Sequence, residues 1–208
     1  MKKLVLAAMA ASTALIAVPA SAQTPPPVTG TVNVTGSVTN RCSVVAPGGA
    51  SSSSFSGTIA LGTLDDPDGT LRDNLIGSTT GSPADSLHVT ARVVCNTAAP
   101  VVSISATAMQ ISGGTLTGGT GYSDTINYTA QVEVDKVGGT SEFRRYDTAT
   151  SAAPAGSSAT GALTASIHPG AADNVDVSVF GLASEGANTN ILAAGSYLGV
   201  VTVTISPT

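Results

Sequence analysis

The sequence predicts an all-β protein, and three observations predict it. Beyond residue 22 no stretch sustains a 3.6-residue apolar period. Period-2 alternation recurs along the whole chain instead, and Gly/Ser/Pro-rich turns separate the alternating stretches. The composition agrees. Charged residues make up 10% of the chain, against about 25% in ordinary domains, so Ser, Thr, Asn and Gly must supply the polar surface. Trp is absent and aromatics are 3%, which leaves Val, Ile, Leu and Ala to build the core.

The first segment reads as an address. Lys2 and Lys3 form a positive start, residues 4–18 are continuously apolar apart from Ser12 and Thr13, and Ala20-Ser21-Ala22 fits the small-x-small cleavage rule. The apolar run is shorter than the roughly 20 residues a membrane span needs. Residues 1–22 are therefore expected to be a signal peptide, with a mature chain that starts at Gln23, has no membrane span and passes through an oxidising compartment. Cleavage removes Lys2 and Lys3, so the 8 basic residues fall to 6 against 13 acidic ones. That balance argues against nucleic acid, which needs clustered Lys and Arg to displace counterions.

The alternating stretches follow in order. Residues 87–95 (LHVTARVVC) put Leu87, Val89, Ala91, Val93 and Cys95 on one face. Residues 101–108 put Val102, Ile104, Ala106 and Ala108 inward, and residues 125–135 put Ile126, Tyr128, Ala130, Val132 and Val134 inward. Further strands are expected at 58–64, 175–183 and 197–205, with a weaker one at 162–167. The connectors at 47–54, 65–69, 112–121 and 150–161 are rich in turn residues. Short strands with such turns suit a sandwich or barrel. Cys42 and Cys95 are the only cysteines. In an exported chain they are expected to form one disulfide, tying an early strand to the strand that ends at Cys95.

One segment stands apart. After Pro25-Pro26-Pro27, which cannot sit inside a sheet, Val28, Gly30, Val32, Val34, Gly36 and Val38 fall on one face and Thr29, Thr31, Asn33, Thr35, Ser37 and Thr39 on the other. This is the longest unbroken alternation in the chain. Such a segment either forms the first strand of its own sheet or is offered to the open edge of another molecule's sheet. Four buried valines would contribute roughly 6–12 kcal/mol as an upper bound, and Gly30 and Gly36 would let the strand sit close in a shallow groove.

These pieces resemble the subunits of archaic, Csu-type chaperone–usher pili, grouped with the spore coat protein U domain. The resemblance rests on V-T-G-x-V-x-V at 28–34, NRCSV at 40–44, IALGTL at 59–64, L-x-V-x-A-x-V-x-C-N at 87–96, and G-x-Y followed by alternating Val and Thr at 195–205. It implies an incomplete immunoglobulin-like β-sandwich at 40–208, completed by a donor strand from a neighbouring subunit. Residues 23–39 are then the donor-strand extension. Tyr197, Val201, Val203 and Ile205 would line one side of the acceptor groove. The implied partners are identical or related pilin subunits, a periplasmic chaperone and an outer-membrane usher, and the implied place is the surface of a Gram-negative bacterium. A tip adhesin would need a second domain, so a rod or minor subunit fits better. The chain departs from the family pattern at Leu61, where an aromatic is frequent, at Gly199, where an acid is common, and at the final Ser206-Pro207-Thr208, which lacks the usual aromatic.

Catalytic and ligand readings find little support. His88 and His168 lie far apart, and neither a G-x-S-x-G elbow nor a phosphate-binding glycine motif occurs. No His/Cys/acid cluster supplies the ligands a catalytic zinc needs, so no catalytic residue, metal or cofactor is expected. Asp65, Asp66, Asp68 and Asp73 cluster, but Leu64 and Leu75 stand where a calcium loop needs acids. At 118–126, Asp124 is displaced by one from the nonapeptide calcium pattern. Turn formation accounts for both. The Arg144-Arg145 doublet reads as a solvated turn. Two rival functions remain. A small carbohydrate-binding module would need aromatic platforms, and Phe55, Phe143 and Phe180 are few. A self-complemented coat or matrix protein needs a connector long enough to reach the vacant edge, and the short Asn40-Arg41 link favours an intermolecular partner instead.

Overall fold

A computed structural model describes residues 29–46, 49–76, 88–113, 120–170 and 172–208. The expected signal peptide, Val28 and Leu87 lie outside them. The chain divides at Ser37, and the unit Val38–Thr208 carries every strand found among the described residues. The protein is all-β: these strands are β1 (Cys42–Val45), β2 (Ser51–Ser52), β3 (His88–Ala91), β4 (Val93–Cys95), β5 (Val101–Ile111), β6 (Tyr122–Ser123), β7 (Thr125–Lys136), β8 (Thr140–Asp147), β9 (Thr160–Ala162), β10 (Val175–Ser184), β11 (Ile191–Leu192) and β12 (Tyr197–Ser206).

A large antiparallel sheet runs β12-β5-β7-β10-β3, with β8 beside β7 and β9 beside β5; a small one runs β2-β1-β4, and β6 and β11 form a short parallel pair. Apolar faces from both antiparallel sheets meet in one core. Val93 and Val44 come from the small sheet, and Val102, Ile104, Ile126, Val132 and Val177 from the large one. The alternation on β7 is almost complete, since Ile126, Ala130, Val132 and Val134 are fully buried.

The stretch 87–95 is not one strand. The chain changes sheet at Arg92, because β3 pairs with β10 while β4 pairs with β1. Buried Asn174 bridges the break: its Oδ1 accepts from the Val93 N–H at 2.8 Å, and its Nδ2 donates to the Val93 carbonyl at 2.8 Å. One primary amide thus replaces one rung of a ladder. On the other side the Cys42–Cys95 disulfide joins β1 to β4 at directly opposed residues.

Three expectations need correction. Residues 58–64 form no strand. Phe55, Ile59 and Leu61 do turn inward, but the segment packs by close approach rather than by pairing: a Cβ on Gly57 would come within 2.5 Å of Val89 Cγ1. The weak strand expected at 162–167 is not found: β9 ends at Ala162, and beyond it a single bridge joins Ile167 to Lys136. The arginine doublet is not a turn but lies within β8.

Glu142, Arg144 and Tyr146 of β8 lie opposite the inward-facing Val134, Val132 and Ala130 of β7. Glu142 accepts from Lys136 Nζ at 2.9 Å and from Arg144 Nη2 at 2.8 Å, and Arg144 also donates to the Ala162 carbonyl at 2.8 Å. Burial alone would raise the Glu142 pKa, but the bonds from Lys136, Arg144 and Thr164 outweigh it and hold the carboxyl at about 2. Because the folded value lies below the unfolded one, this contribution is complete above about pH 4.5 and fades as pH falls toward 2. Glu142→Gln should cost about 3 kcal/mol, because two nearly buried cations lose their partner. Urea unfolding at pH 7 and pH 3 checks this, with the gap between variant and wild type narrowing at pH 3.

Candidate functional site

The core is open along β12. A cavity of about 740 Å³ runs between this strand and a wall made of β1 and residues 53–61. Tyr197, Val201, Val203 and Ile205 line it from β12, and Val44, Phe55, Ile59 and Leu61 face them. Its floor is Val89, Val93, Met109, Tyr128, Val177 and Val179 from the body of the fold. Among the described residues no charged side chain lines it. The apolar wall residues are only half buried although they pack against the core. Apolar core surface is thus left in contact with water along this groove.

The backbone makes the same point. Among the described residues β12 pairs only with β5, so it is the edge of the large sheet. Along its ten residues half-buried and exposed positions alternate strictly, and one row of N–H and C=O groups is left to pair with another extended chain. The four β12 residues expected from the sequence to share a face therefore do so, in one cavity wall.

The groove narrows at one place. Register shifts between Leu198 and Val200, and a Cβ on Gly199 would meet the Thr107 carbonyl oxygen and Met109 Cγ at 2.9 Å and Tyr128 Oη at 3.0 Å. Position 199 therefore has no room for any side chain beyond a hydrogen. Gly199→Ala should destabilise by about 1–3 kcal/mol through overpacking against a backbone atom that cannot swing away, read as a fall in thermal midpoint.

Tyr128 Oη donates to the Thr107 carbonyl at 2.8 Å, and burial pushes its pKa up to about 12. Tyr197 Oη donates toward the Ala193 and Ser123 carbonyls at 3.0 and 3.1 Å, and burial raises its pKa too. Both stay protonated at neutral pH and serve as anchored apolar bodies with satisfied tips.

The expected strand segment is laid bare. Val32, Val34 and Val38 are 85%, 93% and 79% exposed, and residues 29–41 take part in no strand. A Cβ on Gly30 or Gly36 would meet nothing within 4 Å. The residues that follow are held firmly. Asn96 Oδ1 accepts from the Arg41 N–H at 2.7 Å, Asn96 Nδ2 donates to the Thr39 carbonyl at 2.8 Å, and the Asn96 N–H donates to the Arg41 carbonyl at 3.1 Å. Asn40 Nδ2 donates to the Thr208 carbonyl at 2.6 Å, at the far end of β12. In the sequence Asn96 stands out only as the last residue of the 87–96 motif, since a single Asn after a strand looks like any turn residue.

Elsewhere the polar groups tie up the fold. His88 Nδ1 lies 2.8 Å from Asp176 Oδ2 across β3 and β10, and His168 Nδ1 accepts from the Gly170 N–H at 3.0 Å. Asp68 accepts from the Thr70 N–H and hydroxyl, bonds that lower its pKa. Among the described residues no group of three or more His, Cys, Asp or Glu stands close enough to hold a metal, and no helix is long and apolar enough to cross a membrane. Arg145 lies over Phe143 at 4.5 Å and Phe180 at 5.3 Å, capping the otherwise buried Phe180. No protein-family model, curated protein or solved structure matches the chain.

Proposed function

We propose that the chain is a structural subunit of a surface pilus, which polymerises when the N-terminal strand of one copy fills the groove of the next. One observation carries the reading. A groove without a single charged lining residue, open beside a strand with an unpaired edge, occurs in the same chain as an alternating valine segment whose side chains are exposed. Strand and groove match in chemistry. Val32, Val34 and Val38 are apolar at every second or fourth position, Val28 extends the row, and Gly30 and Gly36 suit the shallow places. The reading makes the fold an incomplete immunoglobulin-like sandwich whose missing strand comes from a neighbour. No chemistry on a substrate is involved; the polymer supports adhesion and biofilm. A periplasmic chaperone would cap the groove before assembly, and an outer-membrane usher would exchange that cap for the next subunit. These partners rest on the family resemblance.

The test is periplasmic expression of the full chain and of a variant lacking residues 23–38. Samples are run in SDS unheated and heated, and viewed by negative-stain electron microscopy. An SDS-resistant ladder and thin fibres are expected from the full chain and from no truncated one. A folded monomer from the full chain would overturn the reading.

A further inference from the structure

The groove and the strand that would fill it belong to one polypeptide, so something must stop the chain from filling its own groove. We infer that Asn40 and Asn96 form a clasp that keeps the N-terminal segment out of its own groove and commits it to a second copy of this chain. The inference rests on the polymerisation proposed above.

Direction supplies the first part of the argument. β4 ends at Cys95 and β12 runs on to Thr208 at the same end of the fold, where Asn40 meets Thr208. β1 starts there, opposite Cys95, and runs away. A segment that leaves at Thr39 and doubles back into the groove must reverse within Thr39, Asn40 and Arg41. It would then lie antiparallel to β1 and parallel to β12. A three-residue reversal is within the range of ordinary hairpins, so length alone does not forbid it, and parallel pairing is only slightly weaker than antiparallel.

Hydrogen bonding supplies the second part. The Asn96 side-chain amide takes both the Arg41 N–H and the Thr39 carbonyl, the same use of one amide as a ladder rung that Asn174 makes inside the core. The main chain of Asn96 takes the Arg41 carbonyl as well. The residue between is pinned by its own side chain to Thr208, and the Thr208 hydroxyl reaches on to the Ala99 carbonyl at 3.2 Å. The disulfide anchors the next residue on each side. A tight reversal would have to break the bond at Thr39 and pull Asn40 off Thr208. Insertion into the same molecule's groove therefore has to break bonds at residues 39–41 that insertion into another molecule's groove can leave intact.

The experiment compares wild type, Asn40→Ala and the Asn40→Ala/Asn96→Ala double variant, all expressed in full. Each is scored for SDS-resistant ladder, and its monomer fraction is treated with proteinase K, with mass spectrometry reporting whether residues 29–38 survive. Wild type should give ladder, with the segment cleaved in any residual monomer. With two or more hydrogen bonds lost, the double variant should give on the order of tenfold more monomer, with residues 29–38 protected; Asn40→Ala should shift the same way by less and guards against misfolding of the double variant. Ladder at wild-type yield from both variants overturns the clasp and leaves polymerisation standing. Monomer from the variants with the segment still cleaved also overturns it. A wild-type chain that is monomeric with a protected segment overturns both the clasp and the proposed function. A monomeric wild type with a cleaved segment overturns polymerisation, and the clasp with it.

Discussion

Val32→Asp is expected to abolish the SDS-resistant ladder while leaving the unit Val38–Thr208 folded. Val32 is 85% exposed, so the folded unit loses nothing when the side chain becomes a carboxylate. The cost arises only on insertion. Among the described residues the groove has no charged lining side chain, so the carboxylate must give up its water without a cation there. Losing the burial of one valine forfeits roughly 1.5–3 kcal/mol. The desolvation of a charge adds at least as much, so binding should weaken at least about a hundredfold. Val34→Asp should behave alike. Asn33→Asp, one position along on the opposite face, adds the same charge and should polymerise nearly normally. If the position-33 variant failed as completely as the position-32 variant, net charge rather than an inserted face would be responsible. Normal fibres from Val32→Asp would sink the donor assignment.

The second large effect belongs to the disulfide. Cys42 and Cys95 lie 53 residues apart in sequence. Cross-linking a loop of that size should stabilise the fold by about 4 kcal/mol in the chain-entropy model. Cys42→Ser/Cys95→Ser should thus shift the urea midpoint strongly downward. The local effect is as important. β1 has only four residues, and its other neighbour is the two-residue β2. Cys42, Ser43 and Val44 line the groove, so freeing β1 loosens the wall facing Ile205. The variant should lose polymerisation even at temperatures where far-UV circular dichroism shows the sheet intact. Equal losses of fold and assembly along one melting curve would show that the disulfide acts through global stability alone.

Much of this fold is legible in the sequence because alternation reports a half-buried face. β5, β7, β10 and β12 all lie where period 2 places them, and Tyr197, Val201, Val203 and Ile205 share a wall because a strand has no other way to display them. β8 is not legible. Its inward face carries Glu142 and Arg144, which read as surface until Lys136 and the Ala162 carbonyl are seen to satisfy them. Residues 58–64 mislead in the opposite way: the pattern shows that Ile59 and Leu61 turn inward but is silent about ladder partners, and none is present. Thr39, Asn40, Arg41 and Asn96 stayed hidden because a side-chain amide standing in for a ladder rung leaves no periodic trace.

On the proposed function, the edge presented by β12 sets a time limit on the unassembled chain. From Tyr197 to Ser206 the strand contains no charged residue and no proline, two of the features by which sheet edges normally discourage unwanted neighbours. Leu198 and Val200 are exposed as well. An uncapped molecule therefore has no means of telling the intended strand from any other extended apolar segment nearby, including the β12 of a sister molecule. If the chain assembles as proposed, selectivity has to come from the order of events, with the edge covered as soon as it forms and uncovered only when the right strand is at hand. Overproduction without such an escort should yield disordered aggregate first, and the yield of soluble protein should fall steeply with expression level.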